Sequence, residues 1–404
     1  MSLALAARST LIAPSATLAM GAEAKRLKAQ GLEVLDFALG EPDFATPPNI
    51  EAAAIRAMRA GQTHYTPPAG IPELRQAVAA LYTQQHGLST DPAQVVISNG
   101  AKHSIHNALM AVCGPGDEVI IPAPYWVSYS DLVKLTGATP VVIPTTEDHG
   151  FKLSPERFLK AVTPRTRLLM LNSPSNPTGV VYDRIELSAL AEAVLQTEVG
   201  VLSDEIYEQL TFGDAQPTCF ATLHPALAER TITISGVSKT YAMTGWRIGW
   251  AVAPAPVAKF MGDLQSQETS NPCSISQWAA LEAITGPQDS VAMMKAEFQK
   301  RRDYVLERIE RLPGVTCPPP GGAFYAFLNV SAHLNRTLGG TVVSDSTAFC
   351  RAALSQARVA LVMGSAFGAE GYVRLSFATD LRTLERGFDA LERFLHESVV
   401  RAPL

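Results

Sequence analysis

The chain has 404 residues, of which 47% are hydrophobic and 18% charged, with a formal net charge of -5. That composition suits a globular protein of two to three domains with a large buried core. With no run of Lys or Arg, it offers no electrostatic footprint for nucleic acid or an anionic membrane, and no apolar stretch is long enough to cross a bilayer.

The opening "MSLALAARSTLIAPSATLAM" is mildly apolar, but Arg8 interrupts it and no signal-like apolar core follows a basic start, so a cytoplasmic location is expected. A helical "GAEAKRLKAQG" follows, and residues 1–44 are expected to pack with a domain formed by the far end of the chain. From about residue 95, short apolar runs alternate with helical stretches. The runs are "QVVIS", "DEVIIP", "TPVVIP", "RLLMLN", "GVLSD", "TITIS" and "IGWAVA", several rich in Val and Ile, as buried parallel strands are. "HSIHNALMAV", "DRIELSALAEAVLQ" and "VAKFMGDLQSQ" carry helical spacing between them. This predicts an α/β domain over residues 45–285, built on a mostly parallel central sheet. "SVAMMKAEFQKRRDYVLERIERL" predicts a long helix ending at Pro313-Gly314, which leads into a smaller α+β domain over 286–404 containing "GGAFYAFLNV", "VALVM", "YVRLSFA" and a last helix from about Leu381. The five cysteines form neither a CxxC pair nor a metal-like spacing with the eight histidines, and read as reduced packing residues; no metal is expected.

Open α/β sheets bind ligands beyond the carboxyl ends of their strands. The residues there are Asn99-Gly100-Ala101-Lys102 after "QVVIS", Asn176 in "SPSNPTG" after "RLLMLN", Asp204 in "DEIY", and Lys239 in "SGVSKTYAMTGWRIGW". Each has an ordinary explanation alone: a strand-to-helix turn, a Pro-Gly turn, a helix cap, a lysine that snorkels to water. Their joint position is harder to dismiss. A helix start and Arg247 suit a phosphate, Asp204 suits a protonated ring nitrogen, Asn176 and Tyr207 suit a phenolate oxygen, and a lysine beside an aldehyde condenses with it. Pyridoxal 5'-phosphate has all of these handles.

The chain resembles the fold-type I pyridoxal-phosphate enzymes, specifically class I aminotransferases of the prokaryotic-type aspartate and aspartate/prephenate subgroup. The resemblance runs through "PSATLAM", "ALGEPDF", "HYTPPAGIPELRQA", "SNGAKHSI", "PAPYWVSY", "NSPSNPTG", "LSDEIYE", "SKTYAMTGWRIGW" and "GYVRLSFATD", in the family's order. It implies that Lys239 carries the cofactor covalently and acts as acid and base, that Asp204 keeps the ring nitrogen protonated, and that Asn176 and Tyr207 bind the ring oxygen. Trp126 would stack on the ring, and Arg247, Ser238 and the Gly100-Ala101-Lys102 turn would surround the phosphate. Tyr65 would reach the phosphate of the other subunit in a homodimer with shared active sites. Arg374 would take the substrate α-carboxylate as a fork, with the Gly40 backbone beside it. Where many relatives have serine three residues before the lysine, this chain has Gly236, leaving Ser235 and Ser238 as alternatives.

The expected reaction is ping-pong transfer of an amino group from aspartate or glutamate to 2-oxoglutarate. Lys102 and Thr17 match the positions through which this subgroup handles a second carboxylate, although Lys102 also reads as a solvated or phosphate-bound lysine. Prephenate or aromatic substrates, and β-elimination on the same scaffold, are the alternatives. A transcription regulator would need a DNA-binding module for which no segment remains, and a dinucleotide-binding protein would need a GxGxxG after a strand.

Overall fold

The computed structural model describes residues 3–12, 16–338 and 340–399, with the side chains of 7, 16–18 and 397–399 outside that description. All seven apolar runs form strands of one sheet: β1 (Val95–Ser98), β2 (Glu118–Ala123), β3 (Thr139–Pro144), β4 (Thr166–Asn172), β5 (Gly200–Asp204), β6 (Thr231–Gly236) and β7 (Gly249–Val252), in the order β3-β2-β4-β5-β6-β7-β1. The central strands are buried along most of their length because helices cover both faces, and their few polar residues, such as Thr231 and Thr233, are buried with them. β3 is the exception, an edge strand with only Ile143 buried, and its Pro140 and Pro144 are tolerated because an edge needs fewer ladder donors.

One strand departs from the parallel expectation. β7 runs antiparallel to both β6 and β1. The reason is the connection: only the short loop 237–248 joins β6 to β7, too short for a crossover helix that would return the chain in parallel.

The expected helices form at Ala16–Ala29, Ala101–Val112, Arg184–Leu195, Ala255–Glu268, Asp289–Ile309 and Leu381–Val399. Asp183 and Glu186 close a capping box at the start of the third of these, satisfying two otherwise orphaned backbone donors. The long helix Asp289–Ile309 spans two cores. Val291 packs with Ile50, Ile71 and Trp250, whereas Phe298, Val305 and Ile309 pack with Phe324, Leu375 and Phe388.

That second core surrounds a three-stranded antiparallel sheet of Val362–Met363, Tyr372–Ser376 and Tyr325–Asn329. Met20, Ala24 and Phe37 from the chain start are buried in it. Leu35–Asp36 also pairs in parallel with Val359–Ala360, drawing the two chain ends together. "VALVM" is therefore not one strand, since Val359–Ala360 and Val362–Met363 belong to different sheets. The run is apolar throughout and buried up to Val362, so no alternation marks the change of partner.

Candidate active site

The carboxyl ends of β1, β4, β5 and β6 point the same way and open onto a cavity of about 430 Å³. It is lined by Gly40, Ala101, Lys102, Trp126, Asn176, Asp204, Tyr207, Ser238, Lys239, Arg247 and Arg374, all expected from the sequence. Gly100 sits directly before them. Tyr65, 89% exposed, does not line the cavity of its own chain, and the Thr17 side chain lies outside the described residues.

At one end is an anion cradle. Gly100, with φ +86°, caps the helix Ala101–Val112, whose first N–H groups have no intrahelical partner. A Cβ on Gly100 would stand 2.3 Å from Nη2 of Arg247, so only glycine allows the guanidinium this close. Arg247 itself has φ +58°, a conformation non-glycine residues adopt only when their surroundings impose it. Its Nη1 donates to the Thr244 carbonyl at 2.9 Å and its Nη2 to the Asn99 carbonyl at 3.2 Å. Lys102 Nζ stands 4.8 Å from the centre of the Trp126 ring, and burial, then the charge of Arg247, lowers its pKa.

At the other end Arg374, 2% exposed, donates from Nη1 to Asn176 Oδ1 at 2.9 Å and from Nη2 to the Ala38 carbonyl at 2.8 Å. Its Nε has no hydrogen-bond partner. Among the described residues neither Arg374 nor Arg247 has a carboxylate within ion-pair distance. A buried cation without a counter-ion is costly, and an anionic ligand would relieve that cost.

Between the two lie Asp204 and Lys239. Burial pushes the Asp204 carboxyl up to about 6, against the opposing hydrogen bond from the Tyr129 hydroxyl at 2.6 Å. Burial brings the Lys239 amine down to about 8, with Glu41 opposing. Its Nζ donates to the Gly40 carbonyl at 2.6 Å. A lysine lowered this far supplies a neutral amine near physiological pH, as a nucleophile and proton carrier requires. Of the two alternative serines, Ser238 lines the cavity, whereas Ser235 is turned away and donates to Glu208 at 2.9 Å.

Sequence reasoning missed two contributors. Tyr129 supports Asp204, and Tyr325 meets the Tyr207 hydroxyl at 2.9 Å while its ring lies 4.4 Å from the Arg374 guanidinium. Both stand in quoted motifs, "PAPYWVSY" and "GGAFYAFLNV", but aromatic residues at buried positions look like packing until their hydroxyl partners are known.

The cavity, set at the strand ends of an α/β sheet with a cradle, a buried acid and a depressed lysine, is that of an enzyme that holds a phosphorylated ligand. Comparison with known proteins narrows the class. The family model for class I and II aminotransferases matches residues 33–391. The aspartate/prephenate aminotransferase of Cereibacter sphaeroides is 48% identical over 385 residues, covering 95% of this chain and 96% of that protein. The aspartate aminotransferase of Geobacillus stearothermophilus is 46% identical, covering 97% and 98%. Among solved structures, the aspartate aminotransferase of Thermus thermophilus with maleate superposes with a TM-score of 0.92 at 39% identity, covering 98% of this chain and 100% of that one.

The chain belongs to the class I and II aminotransferases and has the fold-type I architecture of that family. It is a pyridoxal-phosphate-dependent aminotransferase. The residues present fit that cofactor. The helix start after Gly100 and the Arg247 guanidinium offer N–H donors suited to a phosphate, Asp204 can face a ring nitrogen, and Lys239 lines the same cavity as a nucleophile for an aldehyde.

Proposed function

We propose that the enzyme transfers the amino group of aspartate or glutamate to a 2-oxo acid, with aspartate and 2-oxoglutarate as the principal pair. The observation that carries this reading is a single cavity lined by two arginines without counter-ions, a depressed lysine and a further cation, Lys102. In support, the relatives bear aspartate or aspartate/prephenate names, and maleate, found with the Thermus protein, is a four-carbon dicarboxylate.

When bound, pyridoxal phosphate supplies the aldehyde that accepts the amino group and a ring that draws electrons from the substrate Cα. Lys239 would hold it, with the Gly100-Ala101-Lys102 turn, Ser238 and Arg247 around its phosphate, Trp126 beside the ring, Asp204 at the ring nitrogen, and Asn176 and Tyr207 at the ring oxygen. Arg374 receives the substrate α-carboxylate as a fork, next to the Gly40 backbone, and so orients the Cα. Lys239 Nζ takes the Cα proton of the bound amino acid and, in the second half-reaction, returns a proton to the Cα of the incoming 2-oxo acid. Lys102 attracts the second carboxylate as a point charge that tolerates variable geometry, and Thr17 is proposed beside it.

Steady-state kinetics over a panel of donors and acceptors, with prephenate included, tests this. Parallel double-reciprocal lines and a kcat/KM for aspartate and glutamate above that for alanine and phenylalanine are expected. A preference for the uncharged donors would overturn the substrate assignment.

We further propose a cytoplasmic homodimer with shared sites, in keeping with five free thiols and with a Tyr65 too exposed to serve its own cavity. Here the partner subunit's Tyr65 completes the phosphate cradle. Mixing Lys239→Ala with Tyr65→Ala protein should restore activity in heterodimers, and a fully active monomer in light scattering would refute the arrangement. The division into 45–285 and a second unit of 1–44 with 286–404 is likewise proposed, because both chain ends bury their apolar residues in one cluster, which residues such as Phe151 and Tyr207 of the larger unit adjoin, whereas the remaining clusters are drawn almost wholly from 45–285.

A further inference from the structure

The Asp204–Glu208 turn has two faces. Asp204 and Tyr207 line the cavity, whereas Glu205 and Glu208 point into the protein interior and are 3% and 5% exposed. Glu208 Oε1 accepts a hydrogen bond from Ser235 Oγ at 2.9 Å, and its Oε2 lies 3.1 Å from Nε2 of His86. That second contact is an ion pair rather than a well-aimed hydrogen bond. Glu205 Oε1 accepts from Ser203 Oγ at 2.8 Å and from the Phe220 N–H at 3.1 Å.

The other titratable groups around this pair are Tyr82, Cys219 and Tyr241. Burial and then the nearby carboxylates push all three up, so they stay neutral. His86 is thus the base available to balance two buried acids. Burial opposes its charge, but the Glu208 carboxylate outweighs burial and raises its pKa. A protonated His86 would offset negative charge in this pocket, where two carboxyl groups are buried side by side.

Among the described residues, the Ser235–Glu208 contact is the one side-chain hydrogen bond between the Asp204–Glu208 turn and the Ser235–Lys239 segment. We propose that Glu208 is a positioning residue, tying the turn that carries Asp204 and Tyr207 to the segment that carries Lys239, with His86 as its counter-ion. The inference rests on the reading that these three cavity residues work on the cofactor. Glu208 itself touches neither cofactor nor substrate. Its effect is to hold Asp204 and Lys239 in register with one another, so that the acid would meet the ring nitrogen and the amine the aldehyde, where a displacement of about 1 Å can cost roughly a hundredfold in rate.

The test uses the cofactor-loaded protein and reads the pH midpoint of its visible absorption as well as kcat and KM. Ser235→Ala and Glu208→Ala should each shift that midpoint by about half a unit or more and lower kcat roughly tenfold with KM little changed. Glu208→Gln, which still accepts from Ser235, should recover most of the kcat. Should Glu208→Ala fail to fold, Ser235→Ala, which deletes a single oxygen, decides. An unchanged midpoint and kcat in folded, loaded Ser235→Ala would overturn the positioning role alone. A wild-type protein lacking any Lys239-dependent absorption would overturn the cofactor reading and this inference together.

Discussion

Asp204 and Glu205 are consecutive carboxylates, both buried at the end of β5, and burial raises the pKa of both, to about 6 and about 7. They differ in what they face. Asp204 looks into the cavity, supported by the Tyr129 hydroxyl and within the field of Lys239, whereas Glu205 looks into the interior among Ser203, Phe220 and Glu208. A raised pKa alone therefore does not mark a working group. What distinguishes Asp204 is access to a ligand that can return the charge burial disfavours, while Glu205 has no such ligand and holds its proton further up the pH scale, to about 7.

The largest effect expected at this site comes from Lys239→Ala. It removes the proton carrier and should lower kcat by at least roughly 10²–10⁴-fold while far-UV circular dichroism stays native. Borohydride reduction followed by peptide mapping should place the cofactor on Lys239 in the wild type, and an adduct on another lysine would break the assignment of the whole cavity.

The comparison itself is tested by a pair of isosteric changes. Asp204→Asn should cost about 10²–10³-fold in kcat, because an electrostatic partner aimed at the reacting system is lost, whereas Glu205→Gln should stay close to wild type in activity. Equal losses in the two variants would mean that the faces of the turn are not functionally distinct.

Gly100→Ala should act on cofactor affinity before chemistry. The added methyl meets Arg247 at 2.3 Å and forces an alanine to φ +86°, a strain of about 1–3 kcal/mol. The cofactor Kd, from absorbance titration of the stripped protein, should rise by one to two orders of magnitude, about 1.4 kcal/mol for each. An unchanged Kd would argue against a cradle built around this glycine.

The smallest effect sharpens the interior half of the comparison. The folded-state pKa of Glu205 lies above its unfolded value, so its contribution to stability is fully present below pH 4.5 and lost as pH rises through about 7. Glu205→Gln carries no such proton. The Tm of the variant should therefore gain on wild type between about pH 5 and 8, by the equivalent of about 1–3 kcal/mol at the upper end. A difference that does not vary with pH would show that Glu205 is already ionised or already neutral across the range.

Much of this protein was legible before folding is considered. Val- and Ile-rich runs bounded by turn residues marked all seven strands of the central sheet, because strands covered on both faces are mostly apolar, and the exposed edge strand β3 still carries the β-branched Val141, Val142 and Ile143. Gly100, Asn176, Asp204 and Lys239 were legible too, since each stands just beyond such a run, where an α/β sheet exposes its strand ends. Other features were not. The reversal of β7, the division of "VALVM" between two sheets, Tyr129 against Asp204, Tyr325 against Arg374 and His86 against Glu208 all depend on which other segment lies alongside, and the side-chain partners stand 75 residues apart for Tyr129 and Asp204, 49 for Tyr325 and Arg374 and 122 for His86 and Glu208.

By itself, then, the amino-acid order determined which segments are strands and helices and which chemical groups stand at their ends, because periodicity and turn chemistry act over a few residues. Only the tertiary structure decided which of two neighbouring carboxylates meets the cavity, which arginines are left without a counter-ion and which serine turns toward Lys239. Those outcomes depend on desolvation and on pairing in three dimensions, and neither is a property of any local stretch of chain.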